Sequence, residues 1–121
     1  MTFTVAYDCV SAGKDWADVT LKSTSEGYVA VVAVGGRFKE TQTMKLARLD
    51  LKSLAMFLVP MVGSTTFIND VDLYTMRREN GALVIIKGTE SRLDIPQELE
   101  DDFCGMIKAA NRFLKGKPSL D

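Results

Sequence analysis

The sequence contains no histidine, only two cysteines and only three prolines in 121 residues. Histidine is the commonest general base and the commonest metal ligand at neutral pH, so its absence removes both roles. Cys9 and Cys104 lie far apart in the sequence, and two thiols alone do not complete a zinc site. These absences predict a protein that is not an enzyme and that needs no cofactor or metal ion.

Phosphate-binding loops and long hydrophobic runs are missing too. The glycines at 35–36 lack the spacing of a P-loop, and they fit a bulge or a sharp bend between strands instead. The longest apolar run, 54–62, contains Pro60 and is about half as long as the roughly 18 residues of a membrane span. Residues 1–8 lack the basic flank and apolar core of a signal peptide. We therefore expect a soluble, intracellular protein of the cytoplasm, nucleoid or nucleus, with no membrane partner.

Neither sign of charge dominates the chain. Fifteen basic and sixteen acidic side chains give a net charge of −1, so the field of the whole molecule does not attract polyanions over long distances. This balance counts against strong binding of duplex DNA, but it leaves room for local basic patches. Four of the acids lie between positions 98 and 102, at the start of a predicted helix, where the helix dipole favours them.

The hydrophobic pattern predicts a mixture of strands and helices. The pattern of apolar and polar residues predicts strands at 2–9, 18–25, 28–34, 40–49, 65–70, 71–79, 82–88 and 89–94. The strand at 28–34 is apolar at almost every position, and it and 82–88 are predicted to be buried. Helical spacing predicts one helix from Asp50, its cap, to Gly63. A second helix opens at Pro96 and carries a wide apolar face. Asn80-Gly81 is a dipeptide typical of a type I′ hairpin turn.

The order of these elements indicates an internal repeat. The tripeptide Arg-Leu-Asp occurs at 48–50 and again at 92–94, each time shortly before a predicted helix. Upstream of it, 19–34 and 71–87 align as a strand, a turn and a buried strand. The alternative is that any strand meander followed by a helix looks similar over a few residues.

The repeat predicts an α+β fold of two similar ββββα units, about 1–63 and 64–116, whose antiparallel sheets pack with two helices. Both units belong to a single domain, 1–121, with a short C-terminal tail. Residues 92–113, in which an aliphatic segment and a proline precede an amphipathic helix, resemble the repeat of the Pur-alpha family. The doubled unit resembles the Whirly proteins, and a single unit resembles the positive transcriptional cofactor. The likeness in sequence is confined to 71–114.

This resemblance implies a function and a partner. All three groups are implied to bind single-stranded nucleic acid on sheet surfaces through exposed aromatic and basic residues, and relatives with this unit commonly oligomerise. The chain departs from them in being slightly acidic and in lacking a basic and aromatic pattern on its first strand. The resemblance therefore predicts binding of single-stranded DNA or RNA with little base specificity, and a possible homo-oligomer.

Basic and aromatic residues on or near the predicted strands are the candidates for that binding. They are Lys22, Tyr28, Arg37, Phe38, Lys39, Lys45, Arg48, Tyr74, Arg77, Arg78, Lys87 and Arg92. Cations contact phosphates, whereas ring faces stack on bases without demanding a sequence. Tyr28, Phe38 and Tyr74 are the predicted stacking residues, and 35–39 and 74–80 are the densest segments.

Two alternatives remain at this point. Strand-borne cations also keep sheet faces in water, and half-buried tyrosines serve packing. A protein-interaction or assembly module built on the same doubled fold is the competing function. Convergence of the strand-borne cations on one face would favour nucleic acid, and scatter among acids would favour a protein partner.

Overall fold

The computed structural model describes residues 4–25, 27–58, 65–69, 72–89 and 91–117. The first strands are β1 (Thr4–Val10), β2 (Trp16–Thr24), β3 (Gly27–Gly36) and β4 (Lys39–Ala47), followed by helix α1 (Arg48–Leu58). Next come β5 (Thr65–Asn69), β6 (Asp72–Glu79), β7 (Ala82–Lys87), β8 (Ser91–Ile95), a 3₁₀ turn (Gln97–Leu99) and α2 (Glu100–Lys115). The predicted α+β class, with antiparallel sheets and two helices, is confirmed. The predicted helix end at Gly63 lies outside the described residues.

Each group of four strands forms its own antiparallel sheet in chain order, called sheet A (β1 to β4) and sheet B (β5 to β8). The period-two pattern explains which face each strand buries: Val19 and Leu21 of β2 have no exposed surface, and Ala30 and Val32 of β3 lie beside them. Helix α1 packs against β3 and β4, and α2 packs against β1 and β2. The two helices therefore cover one face of sheet A and complete the apolar core.

The opposite face of sheet A, called the outer face, carries small side chains and a few charges. It consists of Ala6, Asp8, Val10, Trp16, Asp18, Thr20, Lys22, Val29, Val31, Ala33, Thr43, Lys45 and Ala47. The indole of Trp16 lies on the backbone of its partner Gly35, where an added Cβ would be 2.5 Å from the ring. Glycine is required there because no side chain fits beneath the indole.

Two turns follow the predictions from sequence. Asn80 and Gly81 have φ angles of 52° and 85°, which are the positive values that a type I′ hairpin needs. The pairing of β3 with β4 shifts register between Val34 and Gly36, as predicted for the bulge at the two glycines. The bulge lies just before the exposed β3–β4 connection at residues 37–38.

The helix starts differ from the predictions. Helix α1 begins at Arg48, so Asp50 lies inside the first turn and is not its cap. The Asp50 side chain is instead only 6% exposed, and its carboxylate accepts a 2.7 Å hydrogen bond from the hydroxyl of Tyr74 in β6. Pro96 precedes the 3₁₀ turn rather than opening α2 directly. Within the described residues, neither helix is long and apolar enough to cross a membrane.

Sheets A and B meet along β4 and β8. The side-chain amide of Gln42 donates to the Asp94 carboxylate at 2.9 Å, and its oxygen accepts the Asp94 backbone N–H at 2.7 Å. A little further along, the Lys87 ammonium donates to the backbone carbonyl of Lys45 at 2.8 Å. Side chains therefore satisfy backbone groups on both facing strands, and this seam holds the two sheets together.

Tyr74→Phe removes the hydroxyl that donates to the buried Asp50 carboxylate but keeps the aromatic ring. We expect the free energy of unfolding to fall by about 1.5–3 kcal/mol, because a buried hydrogen bond to a charged group is lost. Urea denaturation followed by circular dichroism measures the change. Tyr7→Phe is the matched control, since the half-buried Tyr7 packs by its ring, and its effect should stay within about 0.5 kcal/mol. Equal losses for the two variants would contradict the role of the pair.

Candidate nucleic-acid interface

The turn between β3 and β4 presents the most exposed aromatic ring of the described chain. Phe38 is 94% exposed, and the Arg37 guanidinium carbon lies 5.8 Å from its ring centroid. Lys39 follows and reaches the Asp15 carboxylate of the β1–β2 loop at 3.2 Å, which ties the two loops together. The ring and an unshared guanidinium thus stand side by side on a tethered turn, where both can be reached from solvent.

Two lysines of the outer face lie towards the opposite end of sheet A from this turn. Lys22 of β2 lies opposite Val29 of β3, and Lys45 of β4 lies opposite Val31, so the two ammonium groups flank the middle strand. Both side chains are exposed, and neither pairs with a carboxylate among the residues that the structure describes. Val29 and Val31 of β3 form an apolar strip between the two lysines.

The acidic residues of the outer face lie between these lysines and the turn at 37–38. Asp8 and Asp18 are direct cross-strand partners on β1 and β2. Burial, and then the neighbouring Asp8 carboxylate, raise the pKa of Asp18 above its usual range. Positive and negative charges are therefore separated along the strands of the outer face, with the lysines towards one end and the carboxylates towards the other.

The arginines of sheet B neutralise nearby acids. Arg77 reaches Glu79 at 2.8 Å, and Arg92 reaches Glu79 at 2.6 Å and Asp94 at 3.0 Å. Hydrogen bonds from Arg92 and then Arg77 lower the pKa of Glu79. Val84, which lies between Arg77 and Asp94 in the register, is only 1% exposed. Two guanidinium groups and two carboxylates thus cancel in charge, and this network covers an apolar residue rather than offering free cations.

Two other predicted arginines serve α2. Arg78 forms a bidentate ion pair with Glu100 in the first turn of the helix, with its two terminal guanidinium nitrogens 2.5 and 2.7 Å from the two carboxylate oxygens. Arg48 donates to the backbone carbonyls of Leu114 and Lys117 at the other end, and its guanidinium carbon lies 5.1 Å from the centroid of the half-buried Tyr28. Both ends of α2 are therefore held by arginines from outside the helix.

Half of the predicted set is used inside the fold. Tyr74 is 0% exposed, so the prediction that it stacks on a base is wrong: its ring lies in the core, with the Lys87 ammonium 6.0 Å from its centroid. Arg77, Arg78 and Arg92 pair with acids, Arg48 binds carbonyls, and Lys87 bonds Lys45. By the criterion of convergence, these six residues do not form a nucleic-acid surface. Lys22, Arg37, Phe38, Lys39 and Lys45 are the predicted residues that sheet A presents to solvent.

A cationic surface that the sequence did not single out lies between the helices. Lys52 of α1 and Lys108, Arg112 and Lys115 of α2 line one groove. The signal in the sequence was the spacing of the last three, at i, i+4 and i+7, which places them on one helix face. The sequence did not single them out because cations towards the carboxyl end of a helix are ordinarily attributed to the dipole.

Comparison with known proteins does not assign a family. No protein-family model matches the chain, and no curated protein matches its sequence. Within the described ranges, no three acidic or cysteine side chains gather closely enough to hold a metal ion. The function is therefore inferred from the geometry above together with the resemblance noted in the sequence.

The Arg78–Glu100 pair generates a prediction about pH. Hydrogen bonding from Arg78 lowers the pKa of Glu100 below its ordinary 4.5. The stability that this contributes is present above pH 4.5 and is lost as the pH falls through the lowered pKa. Arg78→Gln should therefore cost up to about 1 kcal/mol of unfolding free energy at pH 7 and progressively less in acid. Urea denaturation at pH 7 and pH 3 measures the difference.

Arg37→Gln is the control for that experiment, because Arg37 lies beside a ring and has no carboxylate partner among the described residues. Its effect on stability should be small and should not change between the two pH values. A cost for Arg78→Gln that is the same at pH 7 and pH 3 would contradict the pairing.

Proposed function

We propose that the protein binds single-stranded DNA or RNA, with little base specificity and without catalysis, on the outer face of sheet A and the adjoining turn. The observation that carries this proposal is the exposed Phe38 ring beside the Arg37 guanidinium. An unpaired base offers a π-face to both groups, whatever its identity. Bases inside a duplex are already stacked, so the ring gains a partner only from a single strand.

The lysines of the outer face support the proposal because they can contact the phosphate backbone of the nucleic acid. Lys22 and Lys45 are exposed and carry charges that no described acid neutralises. Counterions are released at each phosphate that a lysine contacts, so the affinity depends on salt. For each contact, the logarithm of the affinity falls by about 0.7 for every tenfold rise in salt concentration. Because the net charge of the chain is −1, the attraction is local, and binding should weaken strongly at physiological salt.

The order of the elements supports the finer fold assignment that belongs to this proposal. Four strands and a helix are followed by four strands, a 3₁₀ turn and a helix. This is the order expected of two ββββα repeats, about 1–63 and 64–116, in one domain. It agrees with the resemblance to the Whirly, Pur-alpha and positive transcriptional cofactor groups. The two free cysteines, Cys9 and Cys104, agree with an intracellular setting.

Phe38→Ala tests the stacking residue. We expect its affinity for a mixed-sequence single-stranded oligonucleotide to fall by about 1–3 kcal/mol, or roughly five- to over a hundredfold, because one base loses its stacking partner. Fluorescence anisotropy at low and high salt, with single-stranded and double-stranded probes, measures this change.

Leu73→Ala is the matched control for the ring, since Leu73 is also an exposed apolar residue but lies on β6 of sheet B. It should bind as the wild type does. Failure of the wild type to bind single strands at low salt would overturn the proposed function. Wild-type binding that survives Phe38→Ala unchanged would move the interface away from this turn.

A second candidate function, assembly with another copy of the chain, is favoured by the charge distribution of the outer face. Lysines stand at one end and the Asp8–Asp18 pair at the other, with small apolar residues between them. A twofold axis across the strands would bring the lysine end of one copy over the acidic end of the other. Small side chains suit the roughly 10 Å spacing of two packed sheets.

Charge reversal tests this assembly. Lys45→Glu or Asp18→Lys alone should weaken dimerisation, because each places like charges opposite one another. The double variant should restore it, since the two ends are exchanged. Sedimentation velocity over a hundredfold concentration range at low salt measures the association. A wild type that is monomeric throughout would exclude assembly through this face.

A further inference from the structure

The groove between α1 and α2 encloses about 360 Å³ and opens to solvent. It is lined by Lys52, Ala55, Met56, Lys108, Asn111, Arg112 and Lys115. Ala55 belongs to the apolar core and forms its floor, whereas Met56 is 59% exposed at its edge. The groove is therefore a cationic channel with an apolar base, built from both helices.

The chemistry of the lining selects for anions. The four charged residues carry only hydrogen-bond donors, and Asn111 supplies two more donors together with the one amide oxygen that accepts. No acid lines the groove, and none of the four cations makes an ion pair with a described carboxylate. Four like charges held close together destabilise the free chain, and a bound anion relieves that repulsion.

The helix dipole does not explain this cluster. Only Arg112 and Lys115 lie in the last turn of α2; Lys108 is a full turn earlier, and Lys52 belongs to another helix. At that end, Arg48 already binds the carbonyl of Leu114 in α2 and the carbonyl of Lys117 just beyond the helix. The side chains in the groove are thus available for a ligand outside the helix.

We propose that this groove binds the phosphate backbone of a single-stranded nucleic acid, an inference that rests on the proposed function. The cations on α2 form a row, with a rise of about 6 Å between Lys108 and Arg112 and about 4.5 Å between Arg112 and Lys115. A chain with a phosphate at every nucleotide meets such a row repeatedly, and Lys52 approaches it from the opposite wall. Charge-assisted hydrogen bonds from both walls then hold the phosphate oxygens.

The groove is a separate surface from the outer face of sheet A. The helices cover the inner face of that sheet, so the two surfaces lie on opposite sides of it. A strand that occupies the groove therefore adds phosphate contacts to those of Lys22 and Lys45 rather than replacing them. Loss of the groove contacts should change the salt dependence of binding while leaving the contribution of Phe38 in place.

The test compares the wild type with Lys108→Gln/Arg112→Gln by fluorescence anisotropy, using mixed-sequence single-stranded oligonucleotides at several salt concentrations. We expect at least about tenfold weaker binding at 50 mM salt and a salt slope reduced by about 1.4, since about 0.7 is lost for each of two phosphate contacts. The melting temperature should stay the same or rise slightly, because both side chains line an open groove and their removal lessens the repulsion among its four cations.

The matched control is Lys14→Gln/Arg77→Gln, which removes two cations that line neither surface. It should keep the wild-type slope. Wild-type binding that both double variants retain equally would overturn the groove and leave the proposed function standing. No binding by the wild type would overturn both. Vesicles of 30% phosphatidylserine and polyglutamate serve as alternative polyanions; groove-dependent binding to either of them, with single-strand binding unaffected, would also overturn the assignment.

Discussion

Both sheets and both helices are tied to one short segment, Arg48–Asp50, where β4 passes into α1. The Arg48 guanidinium holds carbonyls at the end of α2, and the Asp50 carboxylate receives the hydroxyl of Tyr74 from sheet B. A buried carboxylate is tolerated only while a donor satisfies it, so each half of this arrangement depends on its partner. The segment therefore fixes α2 and sheet B relative to sheet A at once. The groove between the helices depends on this segment for the position of α2.

The same tripeptide in the second half makes different contacts. Arg92 and Asp94 bond each other on the surface of β8, and Leu93 between them is fully buried. In the first half the polar residues turn towards protein groups, whereas Leu49 is largely exposed. The difference arises because 48–50 is the first turn of a helix and 92–94 is a strand. The shared letters therefore occupy structurally different positions in the two halves of the chain.

What the sequence could predict was set by how local each feature is. The Asn80-Gly81 turn and the alternation of β2 depend on neighbours in the chain, and both were predicted. Tyr74 could not be assigned, because its partner Asp50 is 24 positions away and the strand pattern alone does not say which face meets α1. Cations on strands look free in a sequence, yet Arg92 finds acids on two strands once β6 and β8 are folded together. The groove is lined by residues of both helices, and the spacing of cations along α2 does not predict that α1 lies beside it.

Gln42, at the seam between the sheets, also protects the protein against aggregation through its sheet edges. Two open four-stranded sheets have four edges in all, and an unpaired edge is where strands of other molecules add and where fibrils begin. Here β4 and β8 are turned towards each other, and the amide of Gln42 occupies both the backbone N–H and the carboxylate of Asp94. The sheets are thus joined without merging into one longer ladder. Half of the edges are withdrawn from fibril growth by side chains, and the chain needs neither proline nor a covering helix to do so.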